Sequence, residues 1–342
     1  KRPFVSRGLL VRRAALAHAP SMLKSLMVVI AAQLAQATSR RPNLLDNWNV
    51  DRRLLSAMSF VNETRAHAGV VQQGGLCSKG AYQHVEKLAR LLSEDLIHTS
   101  RHYTQHSFGG IFANGGSNKF DYHQVKSRFI FDRVCAKQTQ INQVCEVGFM
   151  AGHTAMLFAE AAPHAKVISF DLGSASLVPW LQTQNQRLRQ AYGERWMGVV
   201  KGSSLQTVPA WHREHPNFKC DVVFVDGGKT TQIRAADFAN FARMSHSHTL
   251  VFFDEVTTQS CVNGSSPERK CYTYNNGAQK IRDGTTAKTA AGANRASREG
   301  IIKVRQCQWP PGWEGQDGIC AARFRIYASG TQGIGTRARK HL

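Results

Sequence analysis

Acidic residues are scarce in this 342-residue chain: 23 Asp and Glu stand against 44 Lys and Arg, a formal charge of +21. None precedes Asp46, whereas Lys1, Arg2, Arg7, Arg12, Arg13, Lys24, Arg40 and Arg41 all fall in that first stretch. The remainder is still basic, but it lacks the long Lys/Arg run of a dedicated nucleic-acid arm, so no nucleic-acid partner is expected. Proline is sparse (10 residues) and charged residues make up 20% of the chain against 42% hydrophobic, which excludes a disordered or collagen-like chain over most of the length. The apolar run Leu26–Leu34 is well short of the roughly 20 residues a spanning helix needs, so no stable membrane span is expected.

Residues 1–42 read as a basic targeting segment. An acid-free basic stretch, a short apolar run and Ala35-Gln36-Ala37 have the layout of a secretory signal peptide, with a mitochondrial or plastid transit peptide as the alternative. The sequence opens on Lys1 rather than Met, which leaves its natural start open. A secretory lumen agrees with the sequons Asn62-Glu63-Thr64 and Asn263-Gly264-Ser265 and with an even count of 8 cysteines. Cys145 and Cys220, set in apolar runs, read as buried thiols. Cys261 with Cys271, and Cys307 with Cys320, read as local disulfides, against the alternative of eight free thiols.

Residues 43–129 read as a helical cap ending in a loop. Val85, Leu88, Leu91, Leu92 and Leu96 recur at helical spacing between Ala81 and Ile97, and the Gly-, Ser- and Asn-rich segment 107–119 follows. His98, His102 and His106 repeat at i, i+4 but have no acidic companion, and are read as exposed. From about residue 130 the pattern changes to short apolar runs: Val144–Phe149, Lys166–Asp171, Trp196–Lys201, Asp221–Asp226, Thr249–Asp254, Ile301–Val304 and Ala322–Tyr327. Near-continuous Val, Ile and Phe in such runs, with helical stretches such as Thr154–Ala162 and Thr231–Met244 between them, predict an α/β fold with a doubly wound, mainly parallel sheet. This domain is taken as 130–330, with a basic tail at 331–342. The small, polar stretch between Ala278 and Glu299 reads as a flexible insertion.

The chemistry is concentrated in Val144-Cys145-Glu146-Val147-Gly148-Phe149-Met150-Ala151-Gly152-His153-Thr154. A strand enters a glycine-containing turn that opens a helix, and Gly148 and Gly152 allow the backbone to approach a ligand. Asp171 closes the next strand, where a carboxylate can accept hydrogen bonds from ribose hydroxyls. A nicotinamide dinucleotide favours G-x-G-x-x-G, and here the spacing is E-x-G-x-x-x-G, which opposes an oxidoreductase.

This pattern resembles the S-adenosylmethionine motif of class I methyltransferases. The resemblance continues through Lys201-Gly202-Ser203-Ser204, Asp221 to Lys229 and Thr249 to Val256, and covers roughly residues 130–260. It implies a Rossmann-like sheet of seven strands whose last pair includes an antiparallel member, and a cofactor site of Glu146, Gly148, Phe149, Gly152, Asp171, Ser203 and Asp226. The sequence V-D-G-G-K followed by F-F-D-E is similar to the small-molecule O-methyltransferases, among them the catechol, caffeoyl-CoA and macrolide-sugar enzymes. That branch implies a Mg²⁺ ion on Asp226, Asp254 and Glu255, with Asp226 and Lys229 as catalytic candidates and a small molecule or glycan as acceptor. Glu255 stands where a shorter Asp or Asn is usual, Ser203 where relatives often have an acid, and Lys229 where the sugar-modifying enzymes often have His. Lys229 reads either as a base, if burial lowers its pKa, or as a partner for an anionic substrate. These departures keep two alternatives open: a binding module that retains the fold without turnover, and a nicotinamide-dependent oxidoreductase. The Asn/Asp-Pro-Pro-aromatic motif of many base-modifying methyltransferases is absent: that position reads Asp226-Gly227-Gly228-Lys229.

Overall fold

The structure is a computed structural model that describes residues 58–64, 77–99, 120–174, 178–256, 285–309 and 318–325. The expected leader 1–42, loop 107–119, His102, His106, second sequon, Cys261–Cys271 pair and basic tail lie outside the described residues, as does the side chain of His98. The described residues fall within one compact unit, 56–342.

Seven strands form one sheet in the order β3-β2-β1-β4-β5-β7-β6. They are β1 (Gln143–Val147), β2 (Lys166–Asp171), β3 (Trp196–Lys201), β4 (Cys220–Val225), β5 (Ser245–Val256), β6 (Ile302–Gln308) and β7 (Gly318–Phe324). The first five pair in parallel, and β7 runs antiparallel to both β5 and β6. This is the doubly wound α/β sheet that the runs predicted, with the antiparallel member that the resemblance implied. β7 starts four residues earlier than its apolar run, because Ile319 and Cys320 are already buried between the sheet neighbours.

The helices in chain order are α1 (Lys79–Thr99), α2 (Phe120–Cys135), α3 (His153–Ala161), α4 (Val178–Tyr192), α5 (Ser204–Glu214), α6 (Thr231–Arg243) and α7 (Thr285–Arg298). Alternation along each strand assigns them to faces. Val144, Val222, Phe224, Leu250 and Phe252 point into a core shared with α1 to α4, through Val85, Leu88, Phe131, Leu157 and Leu188. Cys145, Val147, Val223, Val225, Val251 and Phe253 point to the opposite core, closed by Phe238 and Phe241 of α6 and by α7. No described helix is long and apolar enough to cross a membrane.

Two expectations are corrected. Residues 285–298 of the stretch read as a flexible insertion form α7. Its small residues are what permit this: Thr289, Ala290, Ala293 and Ala296 make a buried stripe at helical spacing. A Cβ on Gly292 would lie 2.6 Å from Cβ of Arg234 and 2.9 Å from the Thr231 carbonyl oxygen, so α7 and α6 meet nearly backbone to backbone. Cys145 and Cys220 are buried as expected but are not thiols; they form a disulfide between β1 and β4, Cα to Cα 5.9 Å. Cys307–Cys320 is a cross-strand disulfide as expected, and Cys77–Cys135 ties the start of α1 to the end of α2. In the first sequon, Asn62 is exposed while the Thr64 hydroxyl is buried, donating to the Phe60 carbonyl at 2.7 Å.

Peptide mapping without reduction should recover Cys145 linked to Cys220. The double variant Cys145→Ala, Cys220→Ala should unfold in denaturant with about 2–4 kcal/mol less stability, the usual contribution of a bridge closing a long loop.

Candidate functional site

The carboxyl ends of β1, β2, β4 and β5 open onto a cavity of about 470 Å³, within the size range of small-molecule sites. It sits where the strand order reverses between β1 and β4, the position at which open parallel sheets bind ligands. Gly148, Phe149, Gly152's neighbours Ala151 and His153, Asp171, Ser203, Asp226, Lys229, Asp254 and Glu255 line it. Of the residues expected at a site, Glu146 and Gly152 do not reach its wall.

Gly148 has φ 101°, and a Cβ there would lie 2.5 Å from the Asp226 carbonyl oxygen. Only glycine fits, because the turns after β1 and β4 are pressed together, laced by Asp226 N donating to the Val147 oxygen (2.9 Å), while Gly148 N donates to the Phe170 oxygen of β2 (2.8 Å). Met150 occupies the left-handed region at φ 46°, an uncommon conformation for such a residue. The Asp171 carboxylate holds it there, Oδ2 accepting from Met150 N at 3.0 Å while Oδ1 accepts from Gly173 N at 2.7 Å. Gly152, also left-handed, caps α3 with no side-chain bond, and no acid occupies the first turn. The leading amides of α3 therefore present unneutralised positive potential to the cavity. The Phe149 ring stacks on Trp196 at 5.5 Å. Ser203 precedes α5 and makes no side-chain capping bond. Leu172, next to Asp171, is 68% exposed and gives this end an apolar lip.

Glu146 lies fully buried beneath the turn. Its Oε1 accepts from the Ser169 hydroxyl, and Oε2 has no hydrogen-bond partner. Burial pushes its carboxyl up to about 8 against the opposing Ser169 bond, with the Asp171 and Asp226 charges adding to the rise. His153 is buried 2.8 Å from the Ser93 hydroxyl of α1, and burial lowers its pKa to about 4, so it stays neutral.

At the other end, carboxylates and cations interlock. Lys229 Nζ donates to Asp226 Oδ1 at 2.6 Å and stands 2.9 Å from Glu255 Oε2. Arg234, on α6 and fully buried, donates to the Val225 carbonyl and brings Nη2 within 3.8 Å of Asp226 Oδ1 and 3.5 Å of Glu255 Oε2. Lys126 of α2 donates to Asp254 Oδ1 at 2.7 Å in a buried ion pair. Burial would lower the Lys229 pKa, but Asp226 and Glu255 outweigh it and raise it, which keeps the ammonium form and leaves no base there. Burial and then the Asp226 charge push the Glu255 carboxyl up to about 7, against Lys229 and Arg234. Asp254 moves the other way, since the Lys126 charge and hydrogen bond overcome burial. Glu255 itself sits at φ 58°.

These carboxylates do not fit the Mg²⁺ ion implied by the resemblance. A hard divalent ion takes several oxygen ligands, and here one oxygen of each candidate ligand is already held by a protein cation. Among the described residues no group of three or more His, Cys, Asp or Glu could hold a metal. Sequence reasoning missed Lys126, Arg234 and Leu172. Lys126 lies about a hundred residues before Asp254, and nothing in its local sequence marks it; Arg234 follows the V-D-G-G-K motif by one helical turn and was the more legible of the two.

Residues 145–256 match a protein family described as a methyltransferase domain. No curated protein sequence matches the chain significantly. Among solved structures, an O-methyltransferase from Bacillus cereus in complex with SAH is 14% identical, with 76% of this chain and 97% of that one covered and a TM-score of 0.44. Cofactor-bound Rv0187 from MTB is 17% identical, covering 77% and 97%, at 0.44. Apo CalS11, a TDP-rhamnose 3'-O-methyltransferase of calicheamicin biosynthesis, is 15% identical, covering 70% and 93%, at 0.41. The family match spans residues 145–256 of this chain, and the strand order stands independently of these structures.

The buried acid gives a signed pH dependence. With its folded pKa raised from 4.5 to about 8, Glu146 binds its proton more tightly in the folded state, so its contribution to stability falls as pH rises through that window. His153, lowered from 6.5 to about 4, acts oppositely and costs stability as pH falls from 6.5 toward 4. Thermal melts should show Glu146→Gln gaining on the parent protein between pH 5 and pH 8, by about 3 °C or more; a constant difference would mean that Glu146 is ionised in the fold.

Proposed function

We propose that the domain binds S-adenosylmethionine in this cavity and transfers its methyl group to an oxygen of a small-molecule or glycan acceptor. The observation that carries this reading is the convergence, in one cavity at the sheet's switch point, of the Gly148–Gly152 turn, Asp171 and the Asp226/Lys229 pair. When bound, the cofactor supplies a methyl group on a cationic sulfur.

The chain's own residues divide the work. Free amides at the start of α3 suit a carboxylate. Asp171, fixed by two backbone amides, keeps lone pairs for ribose hydroxyls, and Leu172 offers apolar surface beside it. At the acceptor end Glu255, held near 7, would take the proton from the acceptor oxygen that receives the methyl group. Lys229 places positive charge beside the oxygen as it ionises, with Asp226 positioning the ammonium. Alignment of the two reactants supplies much of the remaining acceleration.

The three disulfides among the described residues, with the basic leader and the sequons, support a secretory-lumen location for this reaction and a glycan or secreted metabolite as acceptor. A nicotinamide cofactor is opposed by the glycine spacing.

Calorimetric titration of the full chain with S-adenosylhomocysteine should give a micromolar-range Kd, and NAD should not bind. Asp171→Ala should weaken S-adenosylhomocysteine by ~10-fold or more, the cost of a charged hydrogen bond, and Glu146→Ala should weaken it by a similar ~10-fold through the turn that Glu146 underlies. An unchanged Kd in both variants would place the cofactor elsewhere.

A further inference from the structure

We propose that the chain fills the divalent-cation position of its acceptor end with its own cations, so that Lys229 replaces a metal ion in holding the reacting oxygen and methyl transfer needs no metal. The inference deepens the reading of the cavity as a methyl-transfer site and rests on it for the role of the oxygen. The occupation of the position rests only on the geometry.

Three carboxylates, Asp226, Asp254 and Glu255, face three cations, Lys229, Lys126 and Arg234, and their formal charges cancel. The cations come from three different elements: Lys126 from α2, Lys229 from the turn after β4, and Arg234 from α6. This is a convergence built by the tertiary fold and not a local run of basic residues. Lys126 has a side-chain exposure of 2%, so an ion that took Asp254 would strip a buried ammonium of the carboxylate paired with it. Arg234 is fully buried and cannot swing away from Asp226 and Glu255. Lys229 differs, because its side chain is 38% exposed and lines the cavity. Two of its contacts are donated to Asp226, to Oδ1 and to the carbonyl oxygen. Its ammonium is thus fixed from behind by carboxylates and open toward the cavity, the arrangement a bound ion would have. A lysine there acts as a compact point charge and favours an acceptor oxygen that is anionic or becomes so during transfer.

Manganese is a spectroscopic substitute for Mg²⁺ at oxygen sites, and the test reads its free signal by electron paramagnetic resonance in the full chain. The relevant uptake is the part lost in Asp226→Asn, since Asp226 is one of the two carboxylates that Lys229 holds. The parent protein should leave Mn²⁺ free up to millimolar concentration, and Lys229→Met should gain at least ~10-fold in Mn²⁺ affinity, because Asp226 Oδ1 and Glu255 Oε2 are released. Lys229→Arg, which keeps the charge, should not gain it. Micromolar uptake by the parent protein would overturn the proposal, and so would an absence of uptake in Lys229→Met, since the freed carboxylates would then form no cation position. Titration with S-adenosylhomocysteine run on every variant checks that the cavity is intact. Failure of the parent protein to bind it would remove the methyltransferase reading while leaving the outcome for the cation position readable.

Discussion

The backbone contact between the turns after β1 and β4 is the constraint from which the site is built. With Gly148 pressed on the Asp226 carbonyl and Asp226 N bonded to the Val147 oxygen, the two strands at the sheet's reversal point end at one level. Everything that the cavity needs is then hung from that junction. The turn after β1 opens α3 with its amides free, and the turn after β4 presents Asp226 and Lys229. Asp171, from β2, pins Met150 in a conformation that an unrestrained chain rarely adopts. A side chain at position 148 would push these turns apart, so the proposed cofactor and acceptor ends are coupled through a single residue.

Buried charge is the second constraint, and the two ends handle it in opposite ways. At the cofactor end Glu146 has no cation within the fold and is held protonated by burial, which leaves its second oxygen without a partner. At the acceptor end every carboxylate has been given a cation. Isolated buried carboxylates cost far more than paired ones. The first arrangement is therefore tolerable because the acid can stay neutral until a ligand arrives, and the second because its charges are balanced before any ligand arrives. Glu255 is intermediate: two cations oppose its burial and the Asp226 charge, and its carboxyl settles near neutrality, where it can exchange a proton.

Much of this was legible in the sequence. The strand runs gave the sheet, since residues buried on both faces of a parallel sheet must be apolar nearly throughout, and the E-x-G-x-x-x-G spacing located the turn. What was not legible depended on contacts between distant segments. Lys126 is an unremarkable residue of a polar helix until the fold places it against Asp254. Cys145 and Cys220 sit in ordinary core strands, and only the adjacency of β1 to β4 makes them a pair. The stretch 285–298 lacks large apolar residues, and was for that reason read as a flexible insertion. A helix that packs backbone to backbone needs the small residues that such a reading counts against it.

That helix also bears on the acceptor end. α7 follows the segment that matches the methyltransferase domain family, yet Thr289 donates to the Glu255 carbonyl at 2.8 Å and Gly292 lies against the Cβ of Arg234. It therefore supports two of the six charged groups around the reacting position. Glu255 is in the left-handed region, which is unfavourable for a long side chain, so its backbone needs holding from outside the strand. Thr289 holds the Glu255 backbone, and the Glu255 carboxylate lies beside Lys229 and Arg234. The departure from the usual Asp or Asn at position 255 and the close-packed, alanine-rich helix are thus two parts of one arrangement. Together they convert a pair of adjacent acids, the expected seat of a metal ion, into separate ion pairs on opposite sides of the strand.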